Sequence, residues 1–214
     1  MAWANLSGNL KFILMDEPKL MPKKLFGGAL QVALPSGFID ASQFRQIPDH
    51  QEVYLSQDSE TSIIVELLDP LVEQKNAMHV LDSHFQILAE DNSCSFSLIL
   101  QKDLELNILL GVQAVPKFGK KTDFILVLLS VRSLEAPYNT DIVTSMNVNI
   151  LSDPLFSTTL PSSIGALAEL NSNSALQSLT AQTPFKRISE NAFSTFSRIC
   201  QSIEVLDYSL FQTQ

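Results

Sequence analysis

The sequence predicts an α+β fold in which helices pack on the faces of a mainly antiparallel sheet. Apolar and β-branched runs of strand length fill much of the chain, whereas two segments repeat their apolar residues at helical spacing. The order is strands, a helix, more strands and a final helix. This order favours an antiparallel sheet, because a regular alternation of strand and helix would indicate a parallel one.

The first strand is predicted at Ala29–Leu34, where an apolar run is bounded by a proline. We expect residues 1–24 to form a loosely ordered extension, and the first firm element to begin at Leu25. The paired glycines Gly27-Gly28 indicate a tight turn or the close approach of another backbone. They do not indicate a phosphate-binding loop, because no Lys-Ser or Lys-Thr pair follows them.

A capped turn and two strands are predicted next. Asp40 is the expected N-cap of a short helical turn, and residues 47–50 (IPDH) have the composition of a turn. The run Gln51–Ser56 alternates in polarity, and Thr61–Leu68 is rich in β-branched residues. We expect these two runs to be adjacent strands.

A helix is predicted over about residues 70–90, with an apolar face made of Ala77, Leu81, Phe85 and Leu88. Four further strands are predicted at Cys94–Gln101, Leu104–Val115, Phe124–Ser133 and Ile142–Leu151. Because their apolar runs are long, we expect the middle strands to be covered on both faces.

The final helix has the clearest pattern in the sequence. Ser189 is its expected N-cap, and its apolar residues step by four, three, four and three positions: Ala192, Phe196, Ile199, Ile203 and Leu206. From the two helical patterns together we expect five side chains to be buried: Phe85, Leu88, Phe196, Ile199 and Ile203.

Residues 152–186 are rich in Ser, Thr, Asn, Gln and Pro. A bare loop of this length is unusual within one domain, so we interpret it as an insertion that is functional, mobile or partly helical around Ile164–Leu179. We find no internal repeat and no sign of a second domain. Residues 25–214 are therefore expected to form a single domain.

The composition limits the classes of partner. The 214 residues are 45% hydrophobic and 17% charged, which is typical of a packed protein, and their net charge is −9. Because no cluster of Lys and Arg is present, we expect no binding to nucleic acid or to an anionic membrane. The acidity favours a basic protein partner. The alternative is that it serves solubility alone.

The two cysteines are consistent with a reducing compartment. Cys94 and Cys200 are not part of a CxxC pair, and both are interpreted as small core residues. No apolar run approaches the roughly 18 residues that a membrane span needs, and the N-terminus lacks a signal-peptide pattern. We therefore expect a soluble protein that is not secreted, and a monomer.

Residues that usually carry catalysis or bind metals form no recognisable motif. His79 and His84 are five positions apart, so they do not share a helix face as an i, i+4 zinc pair would, and His50 lies in a predicted turn. We interpret all three as surface or partly buried structural residues. GxSxG, HExxH, GxGxxG and Walker motifs are missing, so we expect no catalytic residue, metal or cofactor. An enzyme with residues converging from distant positions stays an alternative.

Acidic residues are concentrated between residues 40 and 69. This stretch holds seven carboxylates and only Arg45 as a basic residue, which gives −6 of the net charge. Asp49 and Glu52 are the most suggestive pair, because the proline turn can bring both onto one surface beside Tyr54, which we expect to be exposed. A tyrosine among carboxylates resembles an interface hot spot. The alternative is that these are ordinary solvated positions.

Several segments together form a recognisable signature. The N-terminal part comprises Leu25–Ala29 (LFGGA), Leu34-Pro35, Phe38–Ser42 (FIDAS), Arg45 and Pro48–Val53 (PDHQEV). The later part comprises Ser62–Leu68, Leu126–Leu134, Tyr138–Val143 and Val205–Phe211. This combination resembles the Ran guanine-nucleotide release factor family over most of residues 25–211. Residues 1–24 and 152–186 have no clear counterpart.

The resemblance implies a single α/β/α sandwich with a central, mainly antiparallel sheet, a fold shared with the PsbP protein of photosynthetic membranes. It also implies binding to the small GTPase Ran, release of its guanine nucleotide, support of nuclear protein import, and a location in the nucleus and cytoplasm. The family's Ran-binding surface centres on the carboxylates of the PDxQE motif, here Asp49 and Glu52. Asp40 and Arg45 match neighbouring motif positions, and Tyr54 adjoins them.

Three other interpretations remain open from the sequence. An adaptor or trafficking scaffold would use the same acidic surface without affecting nucleotide release. A lumenal PsbP-type protein is disfavoured by the PDHQEV match and the lack of a transit-peptide pattern. An enzyme is predicted by no motif.

Overall fold

A computed structural model describes residues 17–71, 77–116, 123–150 and 183–211 of the chain. Within these ranges the backbone forms ten β-strands and two α-helices. The strands are β1 (Leu20–Leu25), β2 (Leu30–Pro35), β3 (Phe38–Asp40), β4 (Gln51–Ser56), β5 (Thr61–Leu68), β6 (Phe96–Asp103), β7 (Ile108–Val115), β8 (Asp123–Leu134), β9 (Thr140–Asn149) and β10 (Glu204–Val205). The helices are α1 (Ala77–Asp91) and α2 (Thr183–Gln201).

Seven of these strands form a central sheet in the order β3-β4-β5-β9-β8-β7-β6, and each neighbouring pair is antiparallel. A smaller antiparallel sheet has the order β1-β2-β10. Nearly every residue of β7 is buried, and most of β8 and β9 is buried as well. The predicted antiparallel sheet with middle strands covered on both faces is therefore confirmed.

Alternate side chains of β8 define the two covered faces. Val127 joins an apolar cluster with Phe85 of α1, whereas its neighbour Leu126 joins a larger cluster with Phe196 of α2. Because adjacent residues of a strand point to opposite faces, α1 covers one face of the sheet. Helix α2 and the small sheet cover the other. The α+β fold, with its helix, sheet and helix layers, is confirmed.

Two strands have the predicted bounds, Gln51–Ser56 and Thr61–Leu68, and they pair as expected. The other predicted strand ends differ from the observed ones by up to four residues. The largest difference is at the start of β7, because residues 104–107 form a turn. In that turn Asp103 Oδ1 accepts the backbone N–H groups of the second and third residues that follow it, at 3.1 and 3.0 Å.

The prediction that the first firm element begins at Leu25 is wrong. Strand β1 begins at Leu20 and pairs with β2 along its whole length. The turn between them has φ values of 49°, 66° and 101° at Phe26, Gly27 and Gly28. Glycine adopts this left-handed region without strain, so the predicted tight turn is confirmed. Residues 1–16 of the predicted extension lie outside the described residues.

The final helix begins and ends earlier than its pattern predicts. It starts at Thr183, so Ser189 is not the N-cap, and its hydroxyl instead donates to the carbonyl three residues earlier at 2.8 Å. The helix ends at Gln201. Ile203 and Leu206 therefore follow the helix, the first partly buried and the second exposed. Of the predicted insertion, residues 152–182 lie outside the described residues, and the last four belong to α2.

The five side chains predicted to be buried divide into two groups. Phe85, Phe196 and Ile199 are at most 2% exposed, so these predictions are confirmed. Leu88 and Ile203 are only partly buried at the edges of the two clusters.

One histidine is buried, contrary to its interpretation as a surface or partly buried residue. His84 of α1 is 5% exposed, and its Nε2 lies 3.0 Å from Asp141 Oδ2, which explains how a polar ring is accommodated there. Ser133 donates to the other carboxylate oxygen at 2.5 Å. Burial is the largest influence and raises the pKa of Asp141, but these hydrogen bonds and the His84 charge hold the pKa below its usual value. His50 and His79 are exposed.

Candidate protein-binding site

The predicted site residues gather at one end of the central sheet, where β3 ends and β4 begins. The two strands are antiparallel, and Asp40 lies directly opposite Tyr54. The loop of residues 41–50 connects them at this end and carries Arg45 and Asp49. The five candidate residues therefore lie on adjoining segments, although they differ greatly in exposure.

Asp40 shapes the beginning of this loop. Its Oδ1 accepts the backbone N–H of Ser42 at 2.8 Å and caps the 3-10 turn Ala41–Gln43. The predicted N-cap is therefore confirmed. The backbone N–H groups of the next two residues, Phe44 and Arg45, also bond back to the start of the turn at 3.0 and 3.1 Å.

Glu52 connects the central sheet to the small sheet. Its Oε1 accepts the backbone N–H of Phe26 at 2.6 Å, so the carboxylate holds the glycine-containing turn between β1 and β2. The LFGGA and PDHQEV segments meet at this bond. The pKa of Glu52 lies above its ordinary value of 4.5. Burial is the largest cause and raises the pKa, the hydrogen bond from the Phe26 N–H lowers it, and the charge of Asp40 raises it.

The prediction that Tyr54 is exposed is wrong. It shares a face of β4 with Glu52 as expected, but that face is covered by the small sheet and α2, and Tyr54 is 4% exposed within the large apolar cluster. The pKa of its hydroxyl is raised to about 12. Burial is the largest cause, and the charges of Glu52 and Asp40 also raise this pKa. Tyr54 therefore supports the site from beneath and does not form its contact surface.

The exposed aromatic residue of this region is Phe44, which no sequence pattern indicated as a site residue. Its side chain is 69% exposed, more than any other large apolar side chain in the described residues. It lies between the Asp40-capped turn and Arg45. Its exposure could have been expected from the sequence, because Phe44 lies in a short polar segment that has neither the helical nor the strand spacing that predicts burial.

Asp49 and Arg45 project from the loop into solvent. Both are exposed, and within the part of the chain that the structure describes neither forms an ion pair. The predicted proline turn is closed by a backbone hydrogen bond from Gln51 at 2.9 Å. Asp49 is three residues from Glu52, but the carboxylate that influences Glu52 electrostatically is that of Asp40.

Three other carboxylates of the acidic stretch lie elsewhere. Glu66 follows the residue that pairs with Glu52, so it points to the opposite face, where Gln51 donates to it at 2.5 Å. Asp58 and Glu60 lie in the β4–β5 hairpin, at the far end of the sheet. The stretch that is continuous in sequence is therefore divided among three places on the surface.

The raised pKa of Glu52 leads to a stability prediction. Folded Glu52 holds its proton more firmly than the unfolded chain does. Its contribution to the free energy of unfolding is therefore full below the ordinary pKa and is lost as the pH rises through the raised value. Because glutamine resembles the protonated form, Glu52→Gln should gain stability relative to the unaltered protein as the pH rises above 4.5. Urea unfolding at a series of pH values measures this difference.

The control is Glu52→Ala, which removes the acceptor for the Phe26 N–H. It should be less stable than Glu52→Gln at every pH, by about 1–3 kcal/mol, the usual cost of an unsatisfied buried group. A difference between Glu52→Gln and the unaltered protein that does not change with pH would contradict the assigned burial of this carboxyl.

The described ranges of the chain contain dispersed potential metal ligands and two free thiols. Within those ranges, no three His, Cys, Asp or Glu side chains are grouped as metal ligands would be, and no helix has the length and apolarity to cross a bilayer. Cys94 and Cys200 are free and partly buried, and burial raises the pKa of both thiols, that of Cys200 to about 12. Raised pKa values disfavour the reactive thiolate.

Comparison with known proteins adds independent information. The family described as "Ran-interacting Mog1 protein" matches residues 23–149. A Dictyostelium discoideum protein named "Probable ran guanine nucleotide release factor" is 29% identical over 206 residues, which cover 88% of this chain and 95% of the relative. The Schizosaccharomyces pombe "Nuclear import protein mog1" is 31% identical over 192 residues, which cover 88% of this chain and 98% of the relative.

A solved structure has a similar fold. The crystal structure of the Saccharomyces cerevisiae Ran-binding protein Mog1p superposes with a TM-score of 0.63 and 24% identity, covering 91% of this chain and 99% of the yeast chain. The family match spans more than half of the chain, and it includes β2 to β5 and the whole loop of residues 41–50. This chain therefore belongs to the Mog1 family.

Proposed function

We propose that this protein binds the small GTPase Ran and promotes release of its guanine nucleotide, in support of nuclear protein import. The family membership supports Ran as the partner, and the relatives' names support release and import. The observation that carries the proposal is the preformed site at the end of the sheet. There a fixed carboxylate, Glu52, lies at the same end of the sheet as the loop that carries the exposed residues Phe44, Arg45 and Asp49.

Release is proposed to occur by linkage, without a covalent step. A protein that binds Ran more tightly when the nucleotide is absent must weaken nucleotide binding by the same factor. A coupling free energy of about 3 kcal/mol corresponds to roughly 150-fold. Carboxylates next to a basic Ran surface would draw away Lys or Arg side chains that hold the phosphates, or would perturb the bound Mg²⁺. We assign this role to Glu52 and docking to Asp49.

A stopped-flow assay tests the proposal directly. Ran is loaded with a fluorescent guanine nucleotide and mixed with this protein and excess unlabelled nucleotide, and the dissociation rate is measured from both the GDP-bound and the GTP-bound states. Acceleration of roughly 5- to 150-fold is expected from a typical coupling. Tight Ran binding with an unchanged dissociation rate in both states would instead favour an adaptor that binds Ran without affecting its nucleotide.

Phe44 is proposed as the apolar contact of this site, and its truncation gives a separate prediction. Phe44→Ala should weaken Ran binding at least tenfold, about 1.4 kcal/mol, because exposed aromatic residues among charges are frequent hot spots. Its free energy of unfolding should change by less than about 0.5 kcal/mol. Titration calorimetry and urea unfolding measure the two effects.

The matched control for Phe44 is Ile87→Ala. Ile87 is also an exposed apolar side chain, at 40%, but it lies on α1, which covers the opposite face of the sheet from Tyr54 and Glu52. Equal loss of Ran affinity in both variants would contradict a specific role for Phe44.

The proposed cellular setting follows from the same relatives. The Schizosaccharomyces pombe protein is named a nuclear import protein, so we place this chain in the nucleus and cytoplasm. Immunofluorescence of the tagged protein would test that location. A distribution confined to another compartment would contradict it.

A further inference from the structure

We propose that the segment of residues 206–210 is a second, apolar part of the Ran-binding surface, so that Ran contacts this segment and the acidic site at the same time. The inference rests on the proposed function and extends it to residues distant in sequence from the PDHQEV segment. Four observations support it: backbone continuity, position at the end of the sheet, exposure of apolar side chains, and rigidity.

A chain of short hydrogen bonds joins the segment to the acidic site. The backbone N–H groups of Leu206 and Asp207 both donate to the carbonyl of Ala29, at 2.8 and 3.1 Å. Ala29 closes the turn that begins at Phe26, with a backbone bond of 3.2 Å. The N–H of Phe26 in turn donates to Glu52 at 2.6 Å. The segment is therefore only one turn of chain away from the carboxylate.

The segment also lies at the same end of the central sheet as the acidic site. The ring of Tyr208 is 4.8 Å from that of Tyr138, in the connection between β8 and β9. Strand β9 begins beside the end of β5, which lies beside the beginning of β4. Tyr138, against which Tyr208 packs, is thus two to three strand spacings, roughly 10–14 Å, from β4 across the sheet. An interface of about 800 Å² per partner is roughly 30 Å across and includes both.

Apolar side chains are exposed in this segment at unusual density. Leu206, Tyr208 and Leu210 are 47%, 39% and 43% exposed, and they account for three of the seven large apolar side chains that are exposed in the described residues. Single exposed apolar residues are ordinary, whereas a contiguous group marks an interaction surface. Tyrosine is also enriched among interface hot spots.

The segment is held in place without a partner. Asp207 Oδ1 accepts the N–H of Ser209 at 2.8 Å, and Phe211 is buried at 7% exposure with its ring 6.3 Å from that of Tyr208. Strand β10 fixes the preceding residues against β2. Because the backbone of the segment is already held in place, little backbone entropy is lost when a partner covers it.

The two parts of the surface should contribute differently to binding. The acidic site attracts a basic region of Ran over a distance, and salt screens that attraction. The 206–210 segment contributes apolar burial, which moderate salt does not screen. The proposed partner surface on Ran is therefore a basic patch with an adjoining apolar patch.

The test is the double variant Leu206→Ser/Leu210→Ser of the full chain, compared with the control Met21→Ser/Ile87→Ser. The four side chains are similarly exposed, at 47%, 43%, 39% and 40%, but Met21 lies near the start of β1, far from the Phe26 turn, and Ile87 lies on α1, which covers the other face of the sheet. Ran binding is measured by calorimetry at several salt concentrations. The Leu206/Leu210 variant should bind at least tenfold more weakly, with the same salt dependence as the unaltered protein. The control should bind normally.

Several results would overturn the inference. Affinity of the Leu206/Leu210 variant within twofold of the unaltered protein would exclude the segment from the interface, while the acidic site would keep its proposed role. Sedimentation showing a dimer of the unaltered chain that the variant converts to a monomer would assign the segment to self-association. Failure of the unaltered protein to bind Ran would overturn the proposed function and this inference together.

Discussion

Replacing Asp49 by lysine together with Glu52 by glutamine should weaken binding to Ran by at least about 30-fold while the protein stays folded. Loss of one partner from a close interfacial charge pair costs about 2–5 kcal/mol, which corresponds to roughly 30-fold to several thousand-fold in Kd. Asp49 is exposed, so its reversal should have little effect on stability. Reversal of Glu52 to lysine is less informative, because it would also remove the acceptor of the Phe26 N–H. Calorimetric titration against Ran measures the loss.

A matched control lies at the other end of the same strand pair. Asp58→Lys/Glu60→Gln makes the same change in charge within the β4–β5 hairpin. If long-range attraction by net charge were the whole effect, both double variants would lose affinity equally, and the assignment of Asp49 and Glu52 to the interface would fail. We expect the hairpin variant to retain most of the affinity.

Truncation of Phe196 to alanine should lower the free energy of unfolding by about 3–5 kcal/mol. The ring is 0% exposed, in the cluster that joins α2, the small sheet and the central sheet. Removing it leaves a cavity between these three layers. Urea unfolding monitored by circular dichroism measures the change, as a shifted midpoint with an unchanged slope.

The control for Phe196 is the same substitution at an exposed position. Phe44→Ala removes an identical side chain that is 69% exposed, so its free energy of unfolding should stay within about 0.5 kcal/mol of the unaltered protein. A loss of less than 1 kcal/mol in Phe196→Ala would show that α2 does not pack on the sheet through this ring.

Periodicity was sufficient to predict the elements whose burial is regular. Strands β4 and β5 have the predicted bounds. The alternation of polarity in β4 and the run of β-branched residues in β5 both stop at the ends of the strands. Helix α2 was misplaced because apolar spacing continued through Ile203 and Leu206, where the chain has already left the helix and paired with β2. Such spacing records which residues approach the core, and it does not distinguish a helix from the turn that follows it.

The exposure of the candidate site residues could not be predicted from the sequence, because it depends on long-range packing. Alternation along β4 placed Glu52 and Tyr54 on one face. It could not reveal that the small sheet covers that face, because β1 and β2 are far from β4 in the chain. The exposure of Phe44 and the distribution of the acidic stretch over three places depend on the same tertiary arrangement.

The β1-β2-β10 sheet can be completed only late in synthesis, because β10 is far from β2 in the sequence. Ser202, just before β10, accepts the N–H of Ala33 across 169 residues of sequence. Synthesis of that length takes roughly 8 to 34 s at the usual rate of about 5–20 residues per second. During this interval one edge of β2 has no native partner, and an unpaired edge invites pairing with other chains. Until residues 202–205 have been synthesised, the β1–β2 hairpin therefore keeps one edge open.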